Sequence, residues 1–268
     1  MSDTNKFAVV TGASSGIGYE LAVQFVQNGY DVLMVAEDAA IAEAARKLSA
    51  NGGRAESLQA DLATWDGVEK LVAAIQSAGR PLNAIAFNAG VGVAGPFVET
   101  QLDRHINLIQ LNVTGQVHLA HRVLKDMVAR REGKVLITSS IAATMPGTFE
   151  STYNASKAFL KSFGEALRNE LKDSGMTITV LMPGATETNF FHRAGADDTR
   201  IGQAKKDDPA EVAKQGFEAL MAGDDHVVAG SFTNRIQATM ANVLPDTVDA
   251  ELHRKQAQPG SGKKKKAS

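Results

Sequence analysis

Tyr153 and Lys157 stand four residues apart in a segment, STYNASKAFLKSFGEALRNEL, that reads as a helix, so both side chains project from one face. An unperturbed phenol has a pKa of about 10 and exchanges protons with an alcohol or carbonyl oxygen at neutral pH only when its phenolate is stabilised. A neighbouring ammonium supplies that stabilisation by charge. Ser139 and Ser140 end a strand-like run upstream, and a hydroxyl there can donate a hydrogen bond to an oxygen on which negative charge develops. A third feature is the run Thr11-Gly12-Ala13-Ser14-Ser15-Gly16-Ile17-Gly18, which leaves the first strand and enters a helix. Glycine at 12 and 16 lets the backbone turn tightly with no side chain in the way, and the free N–H groups and positive dipole end of the helix favour a pyrophosphate. Gly18 allows that helix to pack closely on a sheet. Taken singly, a Tyr and a Lys at helical spacing usually cover surface. A glycine turn spaced G-x-x-x-G-x-G, unlike the common G-x-G-x-x-G, can likewise be a plain strand-to-helix loop.

These residues need a frame that gathers strand ends. Short aliphatic runs alternate along the chain with longer segments of helical period, the pattern of a single-domain α/β, Rossmann-like doubly wound parallel sheet with helices on both faces. Seven strands are predicted at about Phe7 to Thr11, Asp31 to Ala36, Ala55 to Gln59, Ala84 to Asn88, Lys134 to Ser139, Thr177 to Met182 and His226 to Ala229. A helix is predicted from Gly16 to Asn28, with Ile17, Leu21, Val23 and Phe25 toward one side and Asn28-Gly29 as its stop. Ligands of such sheets collect at the carboxyl ends of the strands, where the glycine loop and Ser139-Ser140 both fall.

The chain has 268 residues, 44% of them hydrophobic, enough for one large core. Residues 1–257 are expected to form one dinucleotide-binding domain. Its C-terminal helical segment, 231–257, carries Ile236, Met240, Val243 and Leu244 at near-helical spacing and would close the substrate cleft or pack on another subunit. Residues 258–268, QPGSGKKKKAS, have no apolar anchor and are expected to be a disordered tail whose Lys263 to Lys266 run is a solvated charge cluster. The absence of cysteine excludes disulfides, a thiolate nucleophile and cysteine metal sites. His118 and His121 lie three apart on a predicted helix without a third ligand, so they read as surface or interface and no metal site is expected. A net charge of -2 gives no basic field for nucleic acid, no apolar run reaches the length of a membrane span, and MSDTNKF lacks the pattern of a secretory signal. A cytoplasmic location is expected by default.

Five motifs follow in order at strand ends: TGASSGIG after the first strand, Asn88-Ala89-Gly90 after the fourth, Ser139-Ser140 after the fifth, Tyr153-x-x-x-Lys157, and Pro183-Gly184-x-x-x-Thr188 after the sixth. Together they resemble the short-chain dehydrogenase/reductase family, over about Lys6 to Gly230. The resemblance implies hydride exchange between a nicotinamide, by its B face, and a carbonyl or alcohol carbon. It makes Tyr153 the general acid/base. Lys157 would lower the Tyr153 pKa and hold the nicotinamide ribose. Ser140, thirteen positions before the tyrosine, would orient the substrate oxygen, which leaves Ser139 structural. Asn112 resembles the family asparagine that interrupts a long helix and links the lysine through water to a proton path, and the same residue could simply cap a kink. Cofactor contacts are implied for Gly12, Ser14, Ser15, Gly16, Ile17 and Gly18, for Asp61 at the adenine amino group with Leu62 beside it, and for Asn88, Ala89 and Gly90 along the adenine ribose. Pro183, Gly184, Thr186 and Thr188 would serve the nicotinamide carboxamide. By resemblance the helix from Tyr153 to Leu171 pairs across a two-fold axis, giving a homodimer or homotetramer.

The choice between NAD and NADP turns on the end of the second strand. Relatives that use NADP commonly carry arginine where Glu37 stands and a basic residue where Ser15 stands, because a 2'-phosphate needs a cation. Glu37 would bond a ribose 2'-hydroxyl and repel a phosphate, so NAD is the expected cofactor, although NAD users more often place the acid at the position of Ala36. The loops Val91 to Phe97, Ile141 to Thr152 and Ala185 to Gly202 should face the substrate. Val91, Val93, Ile141, Met145, Phe149, Phe190 and Phe191 suggest an uncharged, partly apolar alcohol or ketone, or else lid packing, with His192 and Arg193 as possible polar anchors. Two other functions use the same residues: an NADPH-preferring ketone reductase, and a catalytically silent dinucleotide-binding sensor or scaffold, which predicts a lost Tyr, Lys or Ser.

Overall fold

A computed structural model describes residues 6–50, 52–231, 234, 236 and 245–262. The strands are β1 (Lys6–Thr11), β2 (Tyr30–Ala36), β3 (Ala55–Gln59), β4 (Leu82–Phe87), β5 (Gly133–Thr138), β6 (Met176–Pro183) and β7 (His226–Ala229). They form one parallel sheet in the order β3-β2-β1-β4-β5-β6-β7. Strand order reverses between β1 and β4, the switch point at which an open α/β sheet leaves a crevice. The strands are apolar on both faces because both are covered. On one face Val10, Met34 and Leu136 pack with α1 (Gly16–Gln27), α2 (Ala40–Ala50) and α9 (Pro209–Ala222). On the other, Val9, Val35, Ile85 and Ile137 pack with α3 (Trp65–Ser77), α5 (Gly115–Arg130) and α6 (Ser151–Glu170).

All seven strands lie within two residues of their predicted ends, and the departures matter where a side chain takes over from the ladder. β4 stops at Phe87, one residue before Asn88, and β5 at Thr138, one before Ser139. The Asn88 amide then ties three strand ends together, donating to the Thr11 and Gly12 carbonyls at 3.1 and 3.4 Å and accepting from the Thr138 hydroxyl at 3.3 Å. α4 (Leu102–Ile109) and α5 are one long helix interrupted at Gln110–Thr114 by a π-turn, where the helix widens by one residue.

Past β6 the short helices α7 (Phe190–Ala194) and α8 (Arg200–Gln203) and the last helix α10 (Asp246–Ala257) gather over the carboxyl edge of the sheet. The expectation of disorder from Gln258 is corrected for Gln258 to Gly262. The backbone N–H groups of Gly260 and Gly262 bond the Asp198 carboxylate and carbonyl, both at 2.8 Å, and Ser261 receives the Arg200 backbone N–H and guanidinium. Polar bonds hold what has no apolar anchor. Lys263 to Lys266, Met240, Val243 and Leu244 lie outside the described residues. Ile236 is exposed. The His118 ring stacks on Trp65 at 3.9 Å and its Nε2 meets Glu69 at 2.7 Å.

Candidate active site

The crevice at the switch point opens into a cavity of about 400 Å³ that runs from the glycine loop and the ends of β2 and β3 to α7 and α10. All the residues singled out for chemistry or cofactor contact line it except Asn112.

At its β1 end the walls are backbone. Gly12 and Gly16 have φ of +65° and +57°, in the left-handed region, and a Cβ on either would come within 2.8 Å of Ala89 Cα or of the Thr188 methyl. A Cβ on Gly18 would lie 2.1 Å from the Gly12 carbonyl oxygen, so the helix can start this close to its own loop only with glycine there. Ser15, at the N-cap of α1, makes no side-chain cap bond and the first turn holds no acidic residue. The orphan N–H groups and dipole of α1 therefore face the cavity uncompensated, which is what a pyrophosphate requires. Ser14 is instead committed to Asp38, at 2.9 Å. Asp61 accepts the Ala63 backbone N–H at 2.9 Å, and Leu62 is buried beside it. The Ala89 N–H and Asn88 N–H both bond the Thr11 hydroxyl, at 3.0 and 2.9 Å, so this corner is rigid. Thr188 accepts the Phe190 N–H at 3.2 Å, and the Thr186 hydroxyl donates to the Gly184 carbonyl at 3.0 Å. The cradle thus fits a dinucleotide on the evidence of its glycines and its open helix end.

Glu37 is not a free carboxylate. It pairs with Arg193 at 2.7 Å, a residue 156 positions later that arrives on α7. Because β1, β4 and β5 lie between β2 and β6 in the sheet, this half-exposed pair spans the crevice above them.

At the other end the chemistry is carried by side chains. Ser140 caps the 3-10 turn Ile141–Thr144 by accepting the Ala142 N–H at 3.1 Å, and donates to the Pro183 carbonyl at 3.3 Å. Ser140 also acts on the Tyr153 hydroxyl, drawing its pKa down. Ser139 points the other way and donates to the Lys157 carbonyl at 2.7 Å, tying β5 to α6. Lys157 is buried, with Nζ donating to the Thr138 carbonyl at 3.0 Å and lying 5.7 Å from the Tyr153 ring centre. Asn112 sits at the π-turn with 0% exposure. Its amide bonds Val91 O and receives Val91 N–H, both at 3.0 Å, and also donates to Ser156 at 3.1 Å. It thereby holds the chain beside Gly90, where a Cβ would press on both Asn112 Oδ1, at 3.2 Å, and Lys157 Nζ, at 3.3 Å.

The electrostatics differ from the expectation that the ammonium acidifies the phenol. Burial, and then the Glu150 carboxylate, push the Tyr153 phenol well above its ordinary value, against which Ser140 pulls down. Burial lowers the Lys157 ammonium to about 8. Desolvation outweighs charge pairing, because the ammonium is aimed at the Thr138 carbonyl.

Sequence reasoning offered segment 231–257 as a cover for the substrate cleft but did not single out the residues that form its wall. Asp249, Leu252, His253 and Gln256 of α10 line the cavity opposite Glu150 and Met145, at spacings of three and four that look like any amphipathic helix. Nothing in those spacings says what they face.

Residues 6–199 match the short chain dehydrogenase family. The chain belongs to the short-chain dehydrogenase/reductase family. It is an NAD(P)-dependent dehydrogenase/reductase. Relatives include the uncharacterized oxidoreductase YmfI of Bacillus subtilis, 32% identical over 219 residues that cover 78% of this chain and 88% of that protein. A short-chain dehydrogenase from Sphingobium yanoikuyae in complex with NADPH superposes with a TM-score of 0.78 at 28% identity, covering 83% of this chain and 87% of the other. The L-sorbose reductase of Gluconobacter frateurii, complexed with NADPH and L-sorbose, gives 0.71 at 27% identity, over 84% and 96%. Among the described residues of this dehydrogenase/reductase, no helix is long and apolar enough to cross a membrane.

Proposed function

We propose that this dehydrogenase/reductase exchanges hydride between NAD(P) and the carbonyl or secondary alcohol carbon of a small, partly apolar substrate, with Tyr153 as the acid/base. The observation that supports it is the meeting of Ser140, Tyr153 and Lys157, from β5 and α6, on the same cavity as the glycine cradle. When bound, the nicotinamide supplies or accepts the hydride. Ser140 donates its hydroxyl hydrogen to the substrate oxygen and Tyr153 moves the proton at that oxygen. Its raised pKa keeps the phenol protonated at neutral pH, which suits donation to a carbonyl. Lys157, held on the Thr138 carbonyl, would bind the nicotinamide ribose hydroxyls and return charge stabilisation to the phenolate. Asn112 acts as a positioning residue through Val91 and Ser156. Leu62, Asp61, Asn88, Ala89 and Gly90 would line the adenosine half of the cofactor, and Pro183, Gly184, Thr186 and Thr188 the nicotinamide half.

A panel of alcohols and ketones read at the reduced-nicotinamide absorbance, with both cofactors, tests the reading. Alcohol oxidation should rise with pH as the phenol loses its proton, while carbonyl reduction should hold through neutral pH. A protein that binds NAD(P) yet turns over no member of the panel would favour a sensor or scaffold. We also propose a homodimer or homotetramer built on α4 to α6, where Leu102, Ile106, Ile109, Val117 and Phe159 are exposed. Light scattering showing a monomer at micromolar concentration would contradict it.

A further inference from the structure

Beyond Tyr153 the cavity is closed by α10, which brings Asp249 and His253, one helical turn apart, toward Glu150. All three are 5% exposed. His253 Nδ1 lies 3.0 Å from the Thr148 carbonyl, which can only accept, so that nitrogen carries a hydrogen and Nε2 turns to Glu150 Oε2 at 3.4 Å. The Thr148 hydroxyl donates in turn to the Ala250 carbonyl at 2.8 Å, so the loop leading into Tyr153 is held by this helix. Asp249 Oδ2, in contrast, is buried with no hydrogen-bond partner among the described residues. A buried carboxylate oxygen without a donor is an expensive arrangement to keep, and natural structures seldom keep one without a use. Met145, Phe190, Ile201 and Leu252 add apolar surface to the cavity lining, and Gln256 adds an amide on α10. Glu150 adds a second carboxylate to the same wall, and its charge works against ionisation of the Tyr153 phenol.

We infer that the wall formed by Glu150, Asp249 and His253 is a recognition site for a hydrogen-bond donor, a hydroxyl or an ammonium, carried by the substrate away from its reacting carbon. The inference rests on the redox reading of this cavity and names the substrate class for it. A donor entering there gives the Asp249 carboxylate a partner that it lacks among the described residues, and an ammonium would also offset the charge of Glu150. A carboxylate or phosphate at that end is disfavoured by like charge. The substrate is accordingly amphipathic, with an apolar middle against Phe190 and Leu252 and a polar terminus under α10.

The test uses four ketones of matched carbon skeleton ending in methyl, hydroxyl, ammonium or carboxylate. Their binding to the full-length Tyr153→Phe protein saturated with reduced cofactor is followed by nicotinamide fluorescence, and kcat/KM is measured with the unaltered enzyme. The hydroxyl- or ammonium-ended ketone should bind at least tenfold more tightly than the methyl-ended one, and the carboxylate-ended one most weakly. Which donor wins separates the two chemistries. Asp249→Asn, and independently Glu150→Gln, should cut the ratio of donor-ended to methyl-ended affinity several-fold, more for an ammonium. Tightest binding by the methyl- or carboxylate-ended ketone in the Tyr153→Phe protein, or an unchanged ratio in both variants, overturns the inference. Binding in the expected order without turnover by the unaltered enzyme would leave the recognition site standing and overturn the redox reading instead.

Discussion

At the glycine-loop end of the cavity the contacts come from backbone atoms within seven consecutive residues, Gly12 to Gly18, whereas at the α10 end they come from side chains about a hundred positions apart, Glu150 against Asp249 and His253. The first end tolerates no Cβ at Gly12, Gly16 or Gly18 and asks only for an anion. The second is set by which charges face one another, and it decides what is accepted. A backbone cradle reads a phosphate whatever else the ligand carries, while a side-chain wall reads the particular group set against it.

The largest expected effect separates the chemistry from both ends. Tyr153→Phe should lower turnover about a thousandfold, the scale of a lost general acid/base, while the dissociation constant for reduced cofactor by fluorescence titration stays within about twofold. Retained activity would remove Tyr153 from the mechanism. Next, Gly18→Ala places a methyl 2.1 Å from the Gly12 carbonyl oxygen, so the loop must move. A cost of about 3 kcal/mol or more in chemical unfolding and a cofactor affinity down at least tenfold are expected. The same substitution should leave the order of preference among the four ketones unchanged if the two ends are independent.

A smaller effect concerns stability. Burial lowers the Lys157 ammonium from 10.5 to about 8, so between those values the unfolded chain holds a proton that the folded one has released. Stability therefore rises with pH through that window, and at neutral pH the buried charge costs about 3 kcal/mol. Lys157→Met should be inactive yet more stable near pH 7 by about 1 to 2 kcal/mol, because the Thr138 carbonyl loses its partner at the same time. A melting temperature equal to that of the unaltered protein across pH 7 to 10 would contradict the sign. The smallest effect lies at the roof of the crevice. Arg193→Gln removes a half-exposed pair worth less than about 1 kcal/mol, so stability should barely move. It frees Glu37 at the end of β2, and the ratio of NAD to NADP affinity should rise a few-fold. A fall in that ratio would contradict a part for the Glu37–Arg193 pair in the choice between NAD and NADP.

The order of the motifs, the parallel sheet and the residues of the glycine loop were legible because each depends on local rules: period, strand length, and positions where only glycine avoids a clash. Tyr153 and Lys157 were legible as neighbours on one helix face, and the family resemblance singled out Ser140 from Ser139 at one strand end. Their electrostatics were not. That the ammonium would be spent on the Thr138 carbonyl, and that Glu150 would stand near enough to push the phenol up, depends on how α6 seats against β5.

Glu37 shows the same boundary. Its place at the end of β2 followed from a strand seven residues long, but its partner Arg193 follows from how the chain past β6 crosses the crevice. By itself the chain's order of residues determined the sheet, the cradle and the reacting trio, because backbone sterics and helix periodicity act within a few residues. Only the tertiary structure decided the wall of Glu150, Asp249 and His253 and the pinning of Gln258 to Gly262, because charge and hydrogen bonding act between neighbours in space, however far apart they stand along the chain.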